Sequence, residues 1–146
     1  MSTWMVVEDE PDIYELLLAM FEMWGIDGVA FVDGEEALAW IEEADRDTPG
    51  ELPELALLDI RLPGQASGLD VGKRLRESPV LKNIAIVLIT AYKMPVDEEL
   101  AAVAQSGADR LLNKPLPSFP QLKEALEAAI AERRAKAAAV PLQKEK

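Results

Sequence analysis

Short apolar runs recur along the chain, each closed by a polar break and followed by a stretch whose apolar residues return every three or four positions. TWMVVE, from Thr3, is rich in β-branched residues and is stopped by EDEP, the pattern of a buried parallel strand. Ile13, Leu16, Leu17, Met20 and Trp24 then mark one apolar helix face, and Gly25 stands where a left-handed C-terminal cap belongs. VAFV reads as a second strand. Asp33 and Glu36 have capping-box spacing and open a second helix through Leu38 to Ile41. The segment EEADRDTPGELPE, residues 42–54, breaks the periodicity with prolines, a glycine and charges, and reads as a surface loop. LALLDI is the third strand, Leu69 to Glu77 the third helix, stopped at Ser78-Pro79, and AIVLIT the fourth strand. PVDEELAAVAQSG predicts a fourth helix ending at Gly107, and RLLN a fifth strand. Ser118 with Gln121 caps a last helix whose stripe is Leu122, Ala125, Leu126, Ala129 and Ile130. From Ala131 on the stripe is lost, and fraying is expected. Met20, Met23, Trp24 and Trp40 sit at helical spacing and are expected in or near the core.

Five nearly continuous apolar strands alternating with five helices imply a doubly wound α/β fold, a parallel sheet covered on both faces. In such folds chemistry gathers at the carboxyl ends of the strands. Those ends carry Glu8 and Asp9, Asp59, Thr90 and Lys114. Three clustered carboxylates repel unless a cation neutralises them, and an all-oxygen set favours a hard ion such as Mg²⁺. Lys114 and the Thr90 hydroxyl suit an anionic group with several oxygens, such as a phosphoryl, and Asp59 beside them is placed to accept one as an acyl phosphate.

Composition narrows the chemistry further. The 146 residues carry a formal charge of -12, which disfavours nucleic acid and anionic membranes as partners of the body of the protein. With neither cysteine nor histidine, thiolate and imidazole sites are excluded and any chemistry runs on carboxylates, hydroxyls and lysines. No window approaches the ~18 apolar residues of a membrane span, so the chain is expected to be soluble and cytoplasmic.

The runs VVEDEPD, LLDIRLPG, ITA and GADRLLNKP, in this order and at close to this spacing, resemble the signatures of the response-regulator receiver domain, from about Trp4 to Ile130. The resemblance implies a flavodoxin-like three-layer sandwich with strand order 2-1-3-4-5. It implies that Asp59 is the phosphoacceptor, that Asp9 is a direct Mg²⁺ ligand with Glu8 acting largely through water, and that Arg61 supplies a backbone carbonyl to the metal. Thr90, Ala91 and Lys114 would contact the phosphoryl oxygens, and Arg61 and Tyr92 would flank the acceptor. Partners implied are a sensor histidine kinase or a phosphotransfer protein, and a downstream protein bound on the face of the fourth helix, fifth strand and fifth helix; a homodimer is a further arrangement that the resemblance allows. Residues 1–131 are expected to form the receiver domain and residues 132–146 a C-terminal extension or tail with no output domain.

Three departures from the family pattern stand out. Leu111 occupies the switch position where an aromatic residue is usual, the loop from Gly64 to Gly68 is one residue longer than common, and the stretch from Thr90 to Lys114 is slightly extended. Leu111 motivates an alternative, a degenerate receiver acting as a constitutive protein-binding module without phosphorylation. GLDVGKR, from Gly68, imitates a phosphate loop but has three residues between its glycines and Arg74 where Ser or Thr would bind metal, so it belongs inside the third helix. An aspartate-based phosphatase would want a second acid where Arg61 stands.

Overall fold

A computed structural model describes residues 2–144. Its elements in chain order are β1 (Thr3–Val7), α1 (Pro11–Met23), β2 (Asp27–Phe31), α2 (Gly34–Arg46), β3 (Leu55–Asp59), α3 (Gly68–Glu77), β4 (Ala85–Thr90), α4 (Val96–Ser106), β5 (Arg110–Asn113) and α5 (Phe119–Lys144). All strand pairs are parallel, in the order β2-β1-β3-β4-β5. Alternation along the strands divides the core. Met5, Val7, Ala56, Leu58, Ile86 and Leu88 face α2, α3 and α4, while Trp4, Val6, Leu57, Val87 and Ile89 face α1 and α5. No helix among the described residues is long and apolar enough to cross a membrane.

Local chemistry sets the element ends. Gly25 and Gly107 take left-handed φ after α1 and α4. Asp33 Oδ1 accepts the Glu36 N–H at 2.8 Å, while the Glu36 carboxylate reaches back to the Val32 N–H at 3.4 Å. A capping box not foreseen from sequence, Ser67 with Asp70, starts α3 and places GLDVGKR inside that helix. At its first residue, Gly68, α3 comes so close to the end of β3 that any Cβ would run into the Asp59 carbonyl.

Three expectations change. The α1 face that meets the sheet is centred on Leu17, Met20 and Phe21; Leu16 and Met23 lie roughly 100° round the helix from that centre and are 41% and 70% exposed. Residues 42–46 belong to α2 and not to a loop, because Ala44 is buried and Asp45 accepts bonds from Ser78 Oγ and Arg74, both 2.5 Å. Beyond Ala131 the helix does not fray at once but continues to Lys144. There the missing apolar stripe is replaced by charge: Arg133 pairs with Asp109 at 2.7 Å and Arg134 with Glu54 at 2.9 Å.

Candidate functional site

Parallel pairing delivers the ends of β1, β3, β4 and β5 to one edge. Val7 pairs with Phe31 and Leu58, and the next residue, Glu8, donates its N–H to the Phe31 carbonyl at 3.0 Å, so its side chain starts inside the sheet edge and is fully buried. Asp59 pairs with Ile89 and is 4% exposed; Thr90, one residue further along β4, is 2% exposed. The Lys114 N–H donates to the Thr90 carbonyl at 2.8 Å, which ties the end of β5 to the end of β4. The Lys114–Pro115 peptide that follows is cis.

Three of the expected residues close on one another. Lys114 Nζ lies 2.9 Å from Asp59 Oδ2 and 3.0 Å from Glu8 Oε1. It also lies 2.7 Å from Glu10 Oε1, a partner not foreseen from sequence although it stands in the same acidic run as Glu8 and Asp9. Asp59 Oδ1 accepts the Arg61 N–H at 3.1 Å, and Glu8 Oε2 accepts the Glu10 N–H at 3.0 Å. The structure therefore gathers Glu8, Glu10 and Asp59 around one ammonium, and Asp9 stands apart from that cluster, exposed at the mouth of the cleft. This cleft, about 360 Å³, has Asp59 and Lys114 in its lining with Asp9, Glu10, Arg61, Ala91 and Tyr92. The Arg61 guanidinium covers the Tyr92 ring at 4.6 Å. Thr90 Oγ1 accepts the Tyr92 N–H at 3.1 Å. Leu111 stays out of the cleft, pairing with Leu88 and packing on the α2–α3–α4 side of the core.

The charges are tuned as the geometry demands. Burial, and then the neighbouring Asp59, push the Glu8 carboxyl up from its ordinary value to about 7. Burial works against the Lys114 charge, yet the carboxylates of Glu10, Asp59 and Glu8 outweigh it and hold this lysine above its ordinary value. Glu8, Glu10 and Asp59 each offer an oxygen within 4.8 Å of the others, and Glu8 Oε1, buried, meets the Lys114 ammonium at 3.0 Å without a well-directed hydrogen bond. An all-oxygen donor set with a buried carboxylate oxygen suits a hard divalent cation.

Comparison with known proteins agrees. The family described as response regulator receiver domain matches residues 4–127. Over 123 residues the chain is 32% identical to the polar-differentiation response regulator DivK of Brucella anthropi, spanning 84% of this chain and 91% of that one. Its fold is similar to a response regulator receiver domain protein of Methanospirillum hungatei, with a TM-score of 0.76 at 22% identity over 93% of this chain and 98% of that one. It is similar also to the response regulator TrrA of Thermotoga maritima, solved in complex with Mg²⁺-BeF, with a TM-score of 0.70 at 31% identity over 88% of this chain and 99% of that one. With a match that spans most of its length and a strand-end carboxylate cluster built around Lys114, this chain belongs to the response regulator receiver domain family.

Proposed function

We propose that this protein is a phosphoacceptor in two-component signalling, taking a phosphoryl group on Asp59 from a sensor histidine kinase or a phosphotransfer protein. The observation that carries this reading is the ion pair of Asp59 and Lys114, 2.9 Å apart at the strand ends, in a cleft with room for a phosphoryl group. An Asp59 oxygen forms the new bond to phosphorus as the phosphorus–nitrogen bond of the donor phosphohistidine breaks, and the imidazole leaves with its electron pair and takes up a proton. Lys114 offsets the charge of the transferring group, and the Thr90 hydroxyl and the Ala91 N–H donate to its oxygens. Glu8, Asp9, Asp59 and the Arg61 carbonyl would hold Mg²⁺, which supplies neutralisation of the clustered acids and of the phosphoryl oxygens. The outcome is a shift between two conformations, read by a partner protein on the α4–β5–α5 face.

Intact mass after incubation with Mg²⁺ and acetyl phosphate tests this. The wild type is expected to gain one phosphoryl group and Asp59→Asn none. No gain, under conditions that label another receiver, leaves the constitutive binding module suggested by Leu111.

The stacked pair at the cleft mouth shields the acyl phosphate from water. Arg61→Ala and Tyr92→Ala are each expected to raise the dephosphorylation rate about two- to five-fold, the effect of losing a contact worth about 0.5–1 kcal/mol. Phosphate release from the labelled protein measures it, and unchanged rates in both variants would remove the shield.

A further inference from the structure

The segment that leaves Asp59 is a closed excursion. It starts at Ile60, whose N–H is fixed on the Ile89 carbonyl at 3.0 Å, and it returns to the same place, with the Gly68 N–H on the Ile60 carbonyl at 3.0 Å. Its base is thus set by backbone. Its tip, one residue longer than the family pattern, is held by a side chain from another element: Glu35 Oε2, in the first turn of α2, accepts the Gln65 N–H at 2.7 Å across 30 positions of sequence. Asp59 and Asp70, in the two flanking elements, hydrogen-bond its ends at Arg61 and Ser67; among the described residues, Glu35 is the one side chain from beyond β3 and α3 that hydrogen-bonds residues 60–67.

The surroundings are shaped for that contact. Gly64 has φ +86, and a Cβ on it would stand 2.7 Å from Glu35 Oε2, so glycine is needed there both for the turn and for the space the carboxylate fills. Gly34, just before Glu35, meets the loop in the same way: a Cβ there would stand 2.7 Å from the Ala66 carbonyl oxygen. The backbone N–H of Gln65, then those of Glu35 itself and Ala66, hold the Glu35 carboxyl below its ordinary value. Between the acceptor and this anchor lies Arg61, which gives its N–H to Asp59 and its guanidinium to Tyr92.

We propose that Glu35 is a positioning residue for the acceptor site: by pinning the tip of the β3–α3 loop it holds Arg61 in place, and so sets the cation affinity of the cleft and the lifetime of the acyl phosphate. This rests on Asp59 being the phosphoacceptor. The contact is exposed, so a modest effect follows, carried through loop order and not through the fold.

The test compares Glu35→Ala with Glu35→Gln, whose amide oxygen can still accept the Gln65 N–H. Hydrogen exchange at Gln65, Mg²⁺ titration by calorimetry and the dephosphorylation rate are read side by side, with the urea midpoint as a check on the fold. Glu35→Ala is expected to lose exchange protection at Gln65, to weaken Mg²⁺ binding about two-fold or more and to raise the dephosphorylation rate about three-fold; Glu35→Gln retains all three. In an Arg61→Ala background, Glu35→Ala adds nothing further to the rate. Lost protection at Gln65 with Mg²⁺ affinity and rate unchanged overturns the proposal, as does a Gln variant that behaves like the Ala variant. Should the wild type itself fail to label, the phosphoacceptor reading falls, and the Mg²⁺ titration alone still decides whether Glu35 positions the cleft.

Discussion

Replacing Lys114 with methionine is expected to destabilise the metal-free protein by about 3–5 kcal/mol at pH 8 and by clearly less at pH 5. The lysine side chain is 7% exposed, and its ammonium stands within 3.0 Å of Glu8 and 2.9 Å of Asp59, whose side chains are 0% and 6% exposed. Methionine fills most of the same volume but leaves two buried carboxylates facing each other without a cation. Glu8 relieves the strain by taking a proton, as its rise to about 7 already shows in the wild type. A carboxyl raised in the folded state contributes stability that is complete below its unfolded value, near 4.5, and is lost as pH rises through about 7. The wild type without metal should therefore weaken across that window. The variant should weaken further and at higher pH, since the Lys114 ammonium that lowers Glu8 is gone. Urea unfolding in chelator at pH 5 and pH 8 measures the gap, and saturating Mg²⁺ should narrow it by supplying the missing charge. A cost equal at both pH values would mean that Glu8 is not the responding group.

This cluster also marks the limit of what the sequence discloses. Asp59, Glu8, Thr90 and Lys114 were legible because each follows an apolar run, and parallel strands carry their ends to a common edge whatever lies between them. Glu10 was not, because its link to Lys114 spans 104 positions and its place beside Pro11 reads equally well as an ordinary helix start. The same holds for Glu35, whose partner is the Gln65 N–H of a loop 30 residues away. Periodicity found α1 but misjudged its orientation, counting Leu16 and Met23 inward, since a pattern tolerant of one residue's rotation cannot say where the sheet ends. It also closed α2 too early at the charged residues 42–46, where Asp45 is held by Ser78 and Arg74 of a different element. In each case the missing information is tertiary: a polar side chain whose role is set by a partner far along the chain.

Asp109→Ala carries the same lesson to the opposite end of the sheet, where a loss of about 3–5 kcal/mol and a fall of about 10 °C or more in thermal midpoint are expected. The Asp109 side chain is 1% exposed and takes Arg133 at 2.7 Å, Arg76 at 3.1 Å and the Ile86 N–H at 2.9 Å, with Lys136 further out at 3.7 Å. Arg76 is committed to this spot, donating also to the carbonyls of Gly107, Lys82 and Ile84. Burial, and then the nearby Arg133, depress it from its ordinary value to about 10. Alanine at position 109 would leave these two guanidiniums buried against each other and the Ile86 N–H without an acceptor, and would release the tie that binds α5 beyond Ala131 to the domain. Asp109→Asn, which keeps an acceptor for Ile86 but loses the charge, should fall between. Because Asp109 precedes β5 and Asp59 ends β3, the two sites sit at opposite ends of a parallel sheet, so phosphoryl labelling at Asp59 should survive in the folded variant. Urea and thermal unfolding give the energy, and a loss below about 1 kcal/mol would show that solvent reaches the arginines once the aspartate is gone and that the extended α5 is held by other contacts.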